Sequence, residues 1–196
     1  MNKLFLFCAV AGIALPTSAQ KIRLESGSLD FMKSTKAFKV SYIFTDMKVG
    51  KKTEDEYLNE KAAKYDREEP GRGGKFKESW FRDRETRFYS KFEELFNEHA
   101  SKVGLKISRK EGEADMVVHT TFTEPGYNVG VSRMPASINL IITFKQGDKE
   151  LAKISLTGVP GQTFGGYDFD TGLRIQEAYA KAGKELAQFL VNQLKK

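Results

Sequence analysis

Apolar residues recur along this chain at two spacings, and the switch between them predicts its elements. From Gly172 onward, Ile175, Ala178, Tyr179, Ala182, Leu186, Phe189, Leu190 and Leu194 return every third or fourth position, the period of one helix face. Arg174, Glu177, Lys181, Lys184, Gln188, Gln193 and Lys195 take the opposite face. Asp168, Asp170 and Thr171 stand just before the first turn, where a short side-chain oxygen accepts from unpaired helix N–H groups. A second helix is predicted over 79–103, with Phe81, Phe88, Phe92, Leu95, Phe96, His99 and Val103 on one face and Gly104 as its stop. An aromatic stripe at helical spacing reads as core, not as a cofactor site.

Between the helices the period falls to two, the signature of half-buried strands. Phe38, Val40, Tyr42 and Phe44 form one alternating set. Met116, Val118, Thr120 and Phe122 form another, and Ile138, Leu140, Ile142 and Phe144 a third. Gln146-Gly147-Asp148-Lys149 reads as a tight turn into a returning strand with Leu151, Ile154, Leu156 and Val159. Residues 20–36 read as a leader arm, and Tyr127 to Met134 as an extended continuation or a protruding hairpin. The order predicts an α+β domain: one antiparallel sheet of about five strands, two long amphipathic helices on one face, and a charged insertion after the first strand. That insertion, 48–79, holds a short predicted helix over 54–68 and the breaker run Glu69-Pro70-Gly71-Arg72-Gly73-Gly74, read as a turn or loop.

The first residues, MNKLFLFCAVAGIALPTSAQ, change the picture of where the chain works. A basic Lys3, an apolar run from Leu4 to Leu15 and the small residues Thr17-Ser18-Ala19 predict a secretory signal (1–19) cleaved after Ala19, leaving one domain over 20–196. Cys8 lies inside the run and not at its end, so the expected product is not a lipoprotein. It is also the only cysteine, so disulfides, thiolate metal sites and cysteine nucleophiles are excluded from the mature chain. The formal net charge is +6, with charges interspersed. That balance speaks for solubility and weak attraction to acidic surfaces, while no basic–aromatic motif points to nucleic acid. No further run reaches membrane-spanning length.

Candidate chemistry is sparse. The two histidines, His99 and His119, lack metal-ligand spacing and a nucleophile partner. No nucleophile elbow, phosphate-binding loop or dinucleotide fingerprint occurs. Asp168-Phe169-Asp170-Thr171-Gly172 alternates acids before a glycine, as calcium loops do, but lacks the remaining ligands. Neither cofactor nor metal is expected. Tyr127, Phe164, Tyr167, Asp168, Phe169 and Asp170 decorate two glycine-rich loops and form the candidate partner surface, suited to stacking on a sugar ring or clasping a peptide.

The runs KYDREEPGRGGKFKESWFRDRETRFYSKFEELFNEHA and GVPGQTFGGYDFDTGLRIQEAYAKAGKELAQFLVNQLKK resemble uncharacterised exported α+β proteins of Bacteroides-like bacteria. The strand–helix–hairpin–helix order is similar to envelope-assembly modules such as the TolB N-terminal domain and CsgG-type domains. That resemblance implies a periplasmic, non-catalytic binding or scaffolding protein of the Gram-negative cell envelope, with another envelope protein or a glycan as partner. The alternative is a small hydrolase or carbohydrate-active enzyme using acids near Asp168 and Asp170. Oligomeric state is not legible in the sequence.

Overall fold

The computed structural model describes residues 20–161 and 170–195; the signal read over 1–19 lies outside them. The chain opens with β1 (Lys21–Gly27) and β2 (Ala37–Ile43), then a small hairpin of β3 (Lys48–Val49) and β4 (Lys52–Thr53). Helices α1 (Glu54–Glu68) and α2 (Arg72–Asp83) follow; α2 runs through a π-helical stretch, Arg84–Tyr89, into α3 (Ser90–Ala100). Next come β5 (Lys106–Ser108), β6 (Ala114–Glu124) and a separate hairpin of β7 (Tyr127–Asn128) and β8 (Arg133–Met134). β9 (Ser137–Gln146), β10 (Lys149–Pro160) and α4 (Thr171–Leu194) complete it.

The expected antiparallel sheet of about five strands is corrected. Among the described residues the main sheet has eight strands and is mixed, in the order β1-β10-β9-β6-β2-β5, with β3 and β4 attached alongside. β1, β10, β9 and β6 pair antiparallel, whereas β2 runs parallel to both β6 and β5. The reason is the connection: all three helices of the first half lie between β2 and β5, and a crossover of that length returns the chain in the same direction. β3 then continues the line of β2 along β6, pairing Lys48 with Phe122 and Val49 with Thr123. The supposed leader arm is the edge strand β1, which pairs Ile22 with Leu156 and Leu24 with Ile154. The 48–79 segment is not a loose excursion either. Its Val49 and Leu58 belong to the same buried core as the sheet and the long helices, Tyr57 and Phe76 pack against that core, and Met47 and Trp80, just outside its two ends, are buried there too.

One face of the sheet is dry. Phe38, Met116, Val118, Leu140, Ile142, Phe144, Ile154 and Leu156 are at most 1% exposed, and α3 and α4 pack on them through Phe92, Phe96, Tyr179, Leu186 and Leu190. Each such side chain contributes about 1.5–3 kcal/mol on burial. Alternation breaks where the register between β6 and β9 shifts after Thr120; beyond it Thr123 is buried and Phe122 is only half-buried.

One polar contact in this core is a pair. Thr120 Oγ1 and the Tyr179 hydroxyl share a hydrogen bond of 2.5 Å, both residues being buried, and Phe88 stacks on the Tyr179 ring at 5.0 Å. Burial pushes the Tyr179 hydroxyl well above its usual range, so it stays protonated. Tyr179→Phe should cost about 1–3 kcal/mol, because the Thr120 hydroxyl is left dry and unpaired. Adding Thr120→Val should recover most of that loss, as both partners then become apolar. Urea unfolding of the two variants measures it; equal stability of single and double variants would refute the pairing.

Candidate functional site

A groove of about 420 Å³ opens between α2, the π-helical stretch and the first turn of α4. Its existence starts with a helix that the glycine run does not break. Gly71, at φ 84°, closes the turn after α1 and lets α2 begin at Arg72. Gly73 then presses on α1: a Cβ there would lie 2.4 Å from the Ala62 carbonyl oxygen. Its N–H donates to the Asp66 carboxylate at 2.8 Å. Only glycine permits that approach, and the reward is a helix that turns Arg72, Lys75, Ser79 and Arg82 toward the groove at helical spacing.

The groove has an aromatic wall and a cationic rim. Tyr65, Phe76, Trp80 and Phe88 line it, with Tyr65 on Phe76 at 5.2 Å between ring centres. Arg72 lies over the Tyr65 ring at 4.7 Å and pairs with Glu68 at 2.7 Å. Arg82 meets Glu78 at only 3.8 Å, a solvent-exposed pair worth little. Lys75 is exposed.

At the α4 end, Arg87 is held between two carboxylates: its Nε is 3.3 Å from Asp83 and its Nη1 is 3.0 Å from Asp170. The glycine at 172 makes this possible, since a Cβ there would fall 2.0 Å from Asp83 Oδ2 and 2.7 Å from Arg87 Nη1. The two acids are driven apart electrostatically. Burial raises the Asp83 carboxyl, with Arg87 only partly offsetting it. Burial would raise Asp170 as well, but the Leu173 N–H and the Arg87 guanidinium outweigh it and hold that carboxyl below the usual range.

Asp170 is thus the N-cap of α4, accepting from the Leu173 N–H at 3.1 Å. Its carboxylate has one oxygen, Oδ1, committed to both the helix and Arg87. Because its folded-state pKa is lowered, it stabilises the fold above the unfolded carboxylate range, and that contribution disappears as pH falls through the folded value. Asp170→Ala should therefore cost about 1 kcal/mol at neutral pH, and the gap from wild type should close in acid. Thermal melts at neutral and acidic pH check this; a gap that widens in acid would refute it.

Of the other sequence-chosen residues, Phe164, Tyr167, Asp168 and Phe169 lie outside the described residues. Tyr127 sits on β7 and its hydroxyl meets Ser132 Oγ at 3.3 Å. It hangs from the same end as Asp170, because the buried Arg174 of α4 donates to the Pro125 and Gly126 carbonyls at 3.0 and 3.3 Å and to Thr171 at 3.1 Å. The histidines are anchored to backbone, His99 Nδ1 on the Leu95 carbonyl at 3.0 Å and His119 Nε2 on that of Thr45 at 2.8 Å. Among the described residues no group of three His, Cys, Asp or Glu is placed to hold a metal ion, and no helix is long and apolar enough to cross a membrane.

Trp80, Arg82 and Arg87 were not singled out from the sequence; Arg72 and Lys75 entered only as part of the charged insertion, and Asp83 only as one of several carboxylates on the predicted helix. A signal was there: Arg72, Lys75, Ser79 and Arg82 recur every third or fourth residue, but only once Gly71-Arg72-Gly73-Gly74 is read as a helix start. No protein family, curated protein or solved structure matches this chain.

Proposed function

We propose that this is a non-catalytic binding or scaffolding protein of the bacterial cell envelope, exported by its N-terminal signal, and that it recognises carboxylate-bearing partners in the groove beside α2. The observation that carries this reading is the pairing of a cationic rim, Lys75 and Arg82, with an aromatic wall of Tyr65, Phe76 and Trp80 in one cleft. Guanidinium and ammonium groups take carboxylates, while ring faces take the apolar side of a sugar or a side chain. The carboxylates present, Asp83 and Asp170, are turned on Arg87, which favours an architectural role for them over acid–base work on a substrate. The resemblance to envelope-assembly modules points the same way.

Trp80 is the only tryptophan and lines the groove, so its emission reports occupancy. Titrating the protein with polyglutamate and with polygalacturonate should change that emission at low salt for at least one, and identify the partner as peptide-like or glycan-like. Lys75→Glu with Arg82→Glu should weaken the response about tenfold or more, as two rim charges are reversed. No response to either polymer, or an undiminished one in the variant, would overturn the reading.

A further inference from the structure

The β7–β8 hairpin stands away from the core and carries its apolar side chains outward. Val131 is fully exposed, Val129 is 66% exposed and Tyr127 42%. Three successive N–H groups at its tip are bonded within the turn. The Val129 N–H donates to the Ser132 carbonyl at 3.0 Å and the Val131 N–H to that of Val129 at 3.1 Å. The Gly130 N–H donates to the Asn128 side chain at 2.9 Å. Gly130, at φ 83°, makes the tip. The hairpin is therefore held in shape by bonds from three successive N–H groups, and offers two valines at a convex point.

The surroundings are basic. The β3–β4 hairpin is fastened to the end of β6, the strand that leads into this hairpin, the Gly50 N–H donating to the Thr123 carbonyl at 2.9 Å. It brings Lys48 and Lys51, while Arg133 lies on β8 itself. On α1, Lys61 has its ammonium pKa lowered by burial first and then by Lys64, Arg174 and Lys52, a concentration of like charge. Acids on α1 and at the end of β6 are partly engaged: Glu60 pairs with Lys52, Glu56 closes the cap of α1 on Thr53, and Glu124 accepts from the Gly126 N–H.

We propose that this hairpin is a contact for lipid surfaces bearing anionic headgroups, with Val129 and Val131 entering the interfacial layer and Lys51, Lys61, Lys64 and Arg133 meeting the headgroups. A convex tip whose N–H groups are bonded within the turn enters an interfacial layer at less cost than one with open donors, and it needs no complementary cavity, as a protein partner would supply. Tyr127 at its base suits the headgroup level, where amphipathic rings collect. Two valines and a few cations give reversible binding that depends on both contributions.

Flotation of the secreted chain with vesicles tests it. Vesicles mixing phosphatidylcholine with phosphatidylglycerol should carry the protein, and vesicles of phosphatidylcholine alone should not. Val129→Asp with Val131→Asp should weaken association about tenfold or more. Its thermal melt should match wild type, because both positions are exposed. Lys51→Glu with Lys64→Glu should weaken it too and remove most of its salt dependence. Wild type left unbound by both vesicle sets, the result expected if the hairpin meets a protein, overturns the proposal. So does the aspartate variant floating as wild type does.

Discussion

Replacing Glu54 with alanine should cost about 3 kcal/mol, the low end for breaking one side of a buried ion pair, since this pair is part-buried. Glu54 opens α1, and its carboxylate accepts from the Trp80 indole N–H at 2.5 Å and pairs with Arg84. Those two side chains are only 18% and 16% exposed. The Arg84 guanidinium lies between rings, 3.9 Å from the centre of Phe44 and 4.9 Å from that of Phe81. Without the carboxylate, a part-buried cation and a buried N–H both lose their partner. A lost first-turn charge alone explains little of this, being worth about 0.3–1 kcal/mol. Asp55→Ala is the control, since Asp55 is an exposed first-turn acid on the same helix; it should cost no more than that helix-dipole contribution. Adding Arg84→Met to the Glu54 variant should restore part of the stability by removing the stranded charge. Urea unfolding followed by Trp80 emission reads all three. A Glu54 variant within about 1 kcal/mol of wild type would mean that the guanidinium finds water instead.

That network also shows where the sequence stopped being readable. The inward faces of β9 and α4 were legible because each is a long, uninterrupted period: Ile138, Leu140, Ile142 and Phe144 are all fully buried, as are Ala178, Ala182, Leu186 and Leu190. β1 was not, because an edge strand buries little. Ile22 and Leu24 alternate with Lys21, Arg23 and Glu25 over too few positions to stand out. The parallel centre of the sheet was hidden because hairpin turns announce antiparallel pairs locally, whereas β2 finds β6 across more than a whole helical layer. α2 was hidden by its glycines. Gly71 and Gly73 look like a loop until the tight crossing on Ala62 supplies a reason for them. The groove was lost with the helix, since its cations line up only when 72–83 is helical. The same π-helical stretch that separates Arg84 from Arg87 lets one serve Glu54 and the other Asp83 and Asp170, a division that no fixed helical period announces.

Phe92→Ala should be at least as damaging, at about 3–5 kcal/mol, the usual cost of emptying an aromatic site in a core that cannot collapse. Phe92 is fully buried. Its ring lies 6.1 Å edge-on from Tyr42 and 6.4 Å from Phe96, so it joins the sheet to the helix layer. Collapse is resisted from the other side, where α4 already touches α3 at closest approach: a Cβ on Gly183 would sit 2.2 Å from the Phe92 carbonyl oxygen. Gly183→Ala should therefore destabilise as well. About 1 kcal/mol gained from helix propensity is outweighed by overpacking of about 1–3 kcal/mol. The two variants probe different atoms of one residue. Alanine at 183 strikes backbone, which truncating the Phe92 ring does not move, so the losses in the double variant should add. Denaturant midpoints decide between this rigid crossing and a sliding one. If α3 shifts into the space the ring leaves, the double variant will be more stable than the sum by over about 0.5 kcal/mol, and the fixed contact of α3 with α4 is disproved.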